Sequence, residues 1–158
     1  MPNIVLTRID NCLVHSQITT QWFSAIGANL ILVANDDVAN DRMRQALMDM
    51  AAPSYAAMRY WSIQKTIETI HNASDRQKIF IVCEKPLDVL RLVEGGVPLK
   101  KVSIGYMYMT EGKRQATSFA AIDDEDAVVF TKLRELGIEL ELRRVPAEPA
   151  ENIDALFK

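Results

Sequence analysis

The stretch QKIFIVCEKPLDVLRLVEGG, residues 77–96, decides the fold class. Ile79-Phe80-Ile81-Val82-Cys83 is the strongest strand signal in the chain, an unbroken apolar run of strand length. A strand with one face in water alternates polar and apolar residues, whereas an unbroken run implies cover on both faces. Pro86 suits the first turn of the next element, because the N–H it lacks has no partner there in any helix. Leu87, Leu90 and Val93 then recur at helical spacing, and Gly95-Gly96 ends the helix. A doubly covered strand followed at once by a helix is the unit of a parallel sheet.

The same alternation runs outward in both directions. Ile4-Val5-Leu6 and Leu30-Ile31-Leu32-Val33 are short apolar strands. Between them Ile18, Trp22, Ala25 and Ile26 share a helical face. Residues 40–51 place Met43, Ala46, Leu47 and Met50 at helical spacing, with Asn40 or Asp41 as cap and Pro53 beyond the end. Met58 to Trp61 reads as a strand, Ser62 as a cap, and Ile63, Ile67 and Ile70 as a helical face. Further on, Val102-Ser103-Ile104 and residues 118–122 are strand candidates. Asp123-Asp124-Glu125-Asp126 opens a helix, where acids face the positive end of its dipole, and Gly137 stops it. Residues 138–145 alternate apolar Ile138, Leu140 and Leu142 with Glu139, Glu141 and Arg143. That pattern predicts a half-exposed, antiparallel strand at a sheet edge. The expectation is one α/β domain over residues 1–158, with a central, mainly parallel sheet, helices on both faces and an antiparallel edge strand.

Bulk properties narrow the function classes. The 158 residues are enough to bury a core, and 49% are hydrophobic. A net charge of −3 argues against nucleic-acid binding by bulk attraction. No apolar run reaches the roughly 18 residues that span a bilayer, and residues 1–3 do not begin a secretory signal. Cys12 and Cys83 lie far apart, which fits a reducing cytoplasm better than a disulfide framework.

Parallel sheets bind ligands beyond the carboxyl ends of their strands. That rule selects residues 8–17, 35–37, 84–85 and 105–112. The first reads RIDNCLVHSQ and ends just before a helix. Neutral imidazole is a good nucleophile toward phosphorus, and the free N–H groups of a helix start favour a phosphoryl dianion. His15 is therefore the candidate carrier, Asp10 the group that orients its ring, and Arg8 a charged donor. The alternative is a loop histidine without a role. Cys12 and His15 also invite a zinc or thiol reading. Zinc wants about four ligands, and the remaining Cys83 and His71 stand alone. No metal is expected. Asn35-Asp36-Asp37 reads as turn and cap residues, His71 as solvated, and Lys113-Arg114 as a basic loop end able to approach phosphate.

At residues 8–17 the chain resembles the phosphorylation loop of mannose/sorbose-type enzyme IIB components of the bacterial phosphotransferase system (PTS). There the pattern reads Arg-Ile-Asp-Asp-Arg-Leu-Ile-His-Gly-Gln-Val. The likeness extends through VANDDVANDRMRQALMDMAAP (33–53) and QKIFIVCEKPLDVLRLVEGGVPLKKVSIG (77–105). Among subfamilies it is greatest to the N-acetylgalactosamine/galactosamine type. The resemblance implies a cytoplasmic phosphotransferase associated peripherally with a membrane transporter. His15 takes a phosphoryl group from a IIA partner and passes it to a sugar brought in by membrane subunits IIC and IID. Arg8, Ser16 and Gln17 bind the phosphate, Asp10 assists, and no cofactor is needed. Homo-oligomerisation is left open. Two departures from the pattern matter: Cys12 stands at the loop arginine and Ser16 at the glycine. Cysteine offers neither paired donors nor a permanent charge. A non-catalytic, regulatory or interaction paralogue is thus the alternative reading.

Overall fold

The computed structural model describes residues 2–158, apart from the side chains of Ser16 and Gln17. Along the chain the elements are β1 (Asn3–Ile9), α1 (Ser16–Ala25), β2 (Leu30–Ala34), α2 (Arg42–Ala51), β3 (Ala57–Trp61) and α3 (Ile63–Thr69). Then come β4 (Lys78–Cys83), α4 (Pro86–Glu94), β5 (Lys101–Ile104), β6 (Arg114–Gln115), β7 (Ala121–Ile122), α5 (Asp124–Glu135) and β8 (Glu139–Leu142). Six strands form one sheet in the order β3-β2-β4-β1-β5-β8, and every pairing in it is parallel. β6 and β7 form a separate antiparallel pair.

The unbroken apolar strands are covered on both faces, as their pattern requires. Ile79, Ile81 and Cys83 of β4 join a core with residues of α4 and α5, while Phe80 and Val82 join a second core with Trp22 and Phe23 of α1. Alternate residues of one strand thus serve opposite layers. Each fully buried Ile, Leu or Phe contributes roughly 1.5–3 kcal/mol through burial. The local stop and start signals also act as expected. Asp41 accepts from Arg44 N (3.1 Å), Ser62 accepts from Lys65 N (3.0 Å), and Asp123 and Asp126 form a reciprocal capping box. The backbone N–H of Asp126 holds the Asp123 carboxyl below its usual range. Among the described residues, no helix is long and apolar enough to cross a membrane.

Two expectations change. β8 lies at the sheet edge, but it pairs with β5 in parallel and not antiparallel. Its alternation reflects half-exposure at the edge, which says nothing about direction. An antiparallel contact does exist there, as a single bridge between Leu142 and Glu151 on its outer side. The second change is in α2. The helix forms, yet Met43, Leu47 and Met50 face solvent at 76%, 60% and 84% exposure, and Met48 is the residue that enters the core.

The register sets the carboxyl rim. Ile9 stands opposite both Cys83 and Ile104, and Ile104 stands opposite Leu142. The segments beginning at Glu84, Asp10, Gly105 and Arg143 therefore leave the sheet side by side. After β1 the chain passes to the α1 layer, and after its neighbour β4 it passes to the α4 layer. A crevice opens where adjacent connections part in this way.

Candidate functional site

The loop from β1 to α1 sits in that crevice. Asp10 N donates to Cys83 O (2.9 Å) and Asn11 N to Tyr106 O (2.9 Å), extending the sheet by one step on each side. The Asn11 amide then ties three segments together. Its Nδ2 donates to Glu84 O and its Oδ1 accepts from Tyr108 N, both at 2.8 Å. Leu13 adopts a left-handed backbone (φ 57°), a conformation that costs roughly 1–2 kcal/mol for a residue with a Cβ. Its side chain is buried in the α1 layer, which offsets that strain and pins the loop.

His15 is the N-cap residue of α1, and its side chain makes no capping hydrogen bond. Its backbone N–H donates to Thr19 Oγ1 (2.9 Å). The imidazole is left for other work. Its Nε2 lies 3.0 Å from Asp10 Oδ2, and the ring meets Tyr106 edge-on at 6.4 Å. Asp10 is 2% exposed, and its other oxygen accepts from Cys12 N (2.9 Å), so the carboxylate is fixed before it meets the ring. The His15 side chain remains 24% exposed, open to a partner from one side. Among the described residues no hydrogen bond engages Nδ1.

Arg8 lies beneath the loop. It is 3% exposed, with Nη1 donating to Ser103 Oγ (3.0 Å) and Arg143 O (2.9 Å), and Nη2 to Arg144 O (2.9 Å). Its guanidinium stacks on Trp22, 4.7 Å from the ring centroid, and its Nε is 4.0 Å from Asp10. Burial pulls this guanidinium down to about 10, opposed chiefly by Asp10, so it is a cation at neutral pH. Arg8 thus acts on the carboxylate and on the segment after β8 and does not open to solvent. Gly105 is required at that spot, since a Cβ there would overlap the Arg8 guanidinium.

The structure brings Arg8, Asp10 and His15 together. The side chains of Ser16 and Gln17 lie outside the described residues, although both residues open α1, whose first N–H groups lack intrahelical acceptors. Cys12 and His15 do not converge: Cys12 Sγ is 2.9 Å from Tyr108 Oη, while the imidazole turns to Asp10. That contact, together with burial, pushes the Tyr108 hydroxyl up to about 12. Among the described residues, no group of three or more His, Cys, Asp or Glu is placed to share a metal ion. Lys113 and Arg114 are held by Asp126 (2.8 Å) and Asp124 (3.0 Å) at the opening of α5. Asn35 caps its own turn through Val38 N, Asp36 receives Ile63 N and Arg91, and His71 is exposed.

Asn11 and Tyr106 lie in the segments selected from the sequence but carried no individual role there, and Thr19, Trp22, Ser103 and Arg144 were not visible as site residues. Arg144 falls inside the strand read over residues 138–145; that strand ends at Leu142 and runs parallel to β5, which places residues 143–144 on the rim.

The rim of the parallel sheet thus carries a histidine–carboxylate pair at a helix start, over a buried arginine. Comparison with known proteins identifies the family. The model of the PTS system sorbose subfamily IIB component matches residues 4–158, and the chain belongs to that family. It is 46% identical over 157 residues to the N-acetylgalactosamine-specific phosphotransferase enzyme IIB component 2 of Escherichia coli K12, covering 99% of this chain and 100% of that one. The crystal structure of the Escherichia coli N-acetylgalactosamine-specific IIB component 1 superposes with a TM-score of 0.93 at 44% identity. That match covers 96% of this chain and 99% of that one. The mannose-specific EIIAB component of Escherichia coli K12 is 35% identical over 147 residues, or 92% of this chain and 46% of its own length. The family resemblance read at residues 8–17 is borne out.

Proposed function

We propose that this chain is a sugar-specific IIB phosphocarrier, and that His15 carries the phosphoryl group on Nδ1. The hydrogen bond between Asp10 and Nε2 is the observation that supports this most directly. A carboxylate that accepts from Nε2–H selects the tautomer whose Nδ1 lone pair is free. Nδ1 attacks the phosphorus of a phosphohistidine on a IIA partner. The Nδ1–P bond forms, the partner's N–P bond breaks, and the partner leaves with that electron pair as a neutral imidazole. His15 is then an imidazolium, and Asp10 stabilises its positive charge, as the carboxylate of a catalytic triad does. The N–H groups of residues 16 and 17 face the phosphoryl dianion at the positive end of α1. Arg8 adds its charge from below.

In the second transfer, a sugar hydroxyl attacks phosphorus, the Nδ1–P bond breaks with its electrons returning to Nδ1, and the hydroxyl proton goes to a base outside this chain. N-acetylgalactosamine or galactosamine is the proposed sugar, because relatives named for N-acetylgalactosamine match this chain at 46% and 44% identity, against 37% for a sorbose-specific and 35% for a fructose-specific relative. Membrane subunits IIC and IID present it, and this subunit works at their cytoplasmic side. A relative joining A and B components in one chain supports IIA as the donor.

Incubation with phosphorylated IIA is expected to place an acid-labile phosphate on His15. Absence of label in the wild type, or its persistence in His15→Ala, would overturn the assignment.

Cys12 favours a second reading, a regulatory paralogue that docks without transferring. On that reading the wild type is inert, and Cys12→Arg converts it into an acceptor.

A further inference from the structure

A phosphoryl dianion on His15 needs a cation that is exposed, free to move and carried by the same rim. Cys12 provides no charge. Arg8 is buried with both Nη atoms committed, and Lys113 and Arg114 are held at the start of α5. Arg144, two residues beyond β8, is on that rim and exposed, and its only ion pair among the described residues is the exposed one with Glu148. Its carbonyl accepts from Arg8 Nη2 (2.9 Å) and from Trp22 Nε1 (3.2 Å), which fixes its backbone against the floor of the site. Its side chain is 46% exposed and pairs with Glu148, itself 38% exposed, four residues on. The guanidinium also lies within electrostatic reach of Tyr106, the ring that stands edge-on to His15.

We propose that Arg144 is the phosphate-binding cation of the His15 site, supplying the charge that is missing at Cys12. This rests on His15 being the phosphorylated residue. Before phosphorylation, the Glu148 carboxylate holds the guanidinium. Once the dianion forms on Nδ1, the guanidinium exchanges that carboxylate for phosphate oxygens, which it meets with paired N–H donors. The exchange costs little, because an exposed ion pair is weak. It also leaves the floor intact, since Arg8 and Trp22 bind the Arg144 carbonyl and not its side chain. Glu148 becomes a gate: it keeps the cation near the site and competes with phosphate for it.

The test uses phosphoramidate, which phosphorylates histidine without a partner protein, and phosphorus NMR to titrate the phosphoryl group. A nearby guanidinium favours the dianion, so the wild-type phosphoryl is expected to ionise about one pH unit lower than in Arg144→Ala. Glu148→Gln is expected to move it lower still, and adding Cys12→Arg to Arg144→Ala to restore the wild-type value. Transfer from phosphorylated IIA is expected to fall about tenfold in Arg144→Ala, the loss of one charge-assisted contact. Trp22 fluorescence and thermal unfolding should be unchanged in all these variants, which separates a phosphate contact from a structural role. Identical titration of wild type and Arg144→Ala, with His15 labelled in both, overturns the proposal alone. No label on His15 in the wild type overturns the phosphocarrier reading and this proposal with it.

Discussion

Gly105 leaves the space that the Arg8 guanidinium fills: a Cβ at residue 105 would stand 2.7 Å from Arg8 Cζ. Both residues are buried; Arg8 lies near the end of β1, and Gly105 directly follows the adjacent strand β5. The pair explains how a cation is kept inside the domain. Three acceptors, from Ser103, Arg143 and Arg144, offset the burial of Arg8, and the glycine lets it reach them.

Gly105→Ala should therefore destabilise the protein by about 1–3 kcal/mol, the usual cost of overpacking a buried site. Arg8→Ala should cost about 3 kcal/mol, because buried acceptors lose a charged donor. The double variant should lose less than the two costs combined, since the methyl then occupies space the guanidinium has left. Urea unfolding of the four proteins measures this coupling, and strict additivity would contradict the packing described.

Asp10→Asn should slow phosphorylation of His15 by tenfold or more. The change removes a charge-assisted hydrogen bond worth about 1.5–3 kcal/mol and the charge that stabilises the imidazolium. The fold should survive, because an amide oxygen can still accept from Cys12 N. Labelling kinetics with phosphoramidate, beside an unchanged circular dichroism spectrum, would check both halves.

Asp88 gives a pH-dependent signature. Burial raises its carboxyl to about 6, partly offset by Lys85 and Arg91. A raised carboxyl binds more protons folded than unfolded, so its contribution to stability falls as pH rises from about 4 to about 6. Asp88→Asn removes that penalty. It should leave stability nearly unchanged at pH 4 and raise it by about 1 kcal/mol at pH 7, after allowance for partial solvent screening. Denaturation at the two pH values tests the sign; a variant less stable at pH 7 than at pH 4, relative to wild type, would refute it.

On α2, neighbouring residues should behave in opposite ways. Met48→Ala should cost about 2–5 kcal/mol, as truncation in a core does, and Leu47→Ala less than about 0.5 kcal/mol. The reverse order would mean that the helix is rotated to bury Met43, Leu47 and Met50.

Much of the molecule is legible in the amino-acid sequence. The apolar run of residues 79–83 can only be a strand covered on both faces, and Pro86, Ser62, Asp41 and Asp123 mark helix starts through rules that act within a few residues. Because these rules are local, the alternation of strands and helices and His15 at a helix start follow from the chain itself. The loop pattern of residues 8–17 adds the family. α2 shows where local rules stop. Helical spacing reports that Met43, Leu47 and Met50 share a face, but not whether a partner layer lies against it.

Only the tertiary structure decided how charge is distributed around His15. Arg8 reads as a charged hydrogen-bond donor to phosphate, yet the register of β1 beside β5, and of β5 beside β8, takes it inside and commits it to Ser103 and to the carbonyls of Arg143 and Arg144. Arg144 reads as nothing in particular, because an alternating edge strand looks the same in either direction. Parallel pairing of β8 with β5 carries residues 143–144 to the carboxyl rim, beside Gly105 and Asp10. An antiparallel β8 would have sent them to the opposite end of the sheet. Strand direction is a long-range property of hydrogen bonding between segments far apart in sequence, and it determines which arginines stand on the rim beside His15.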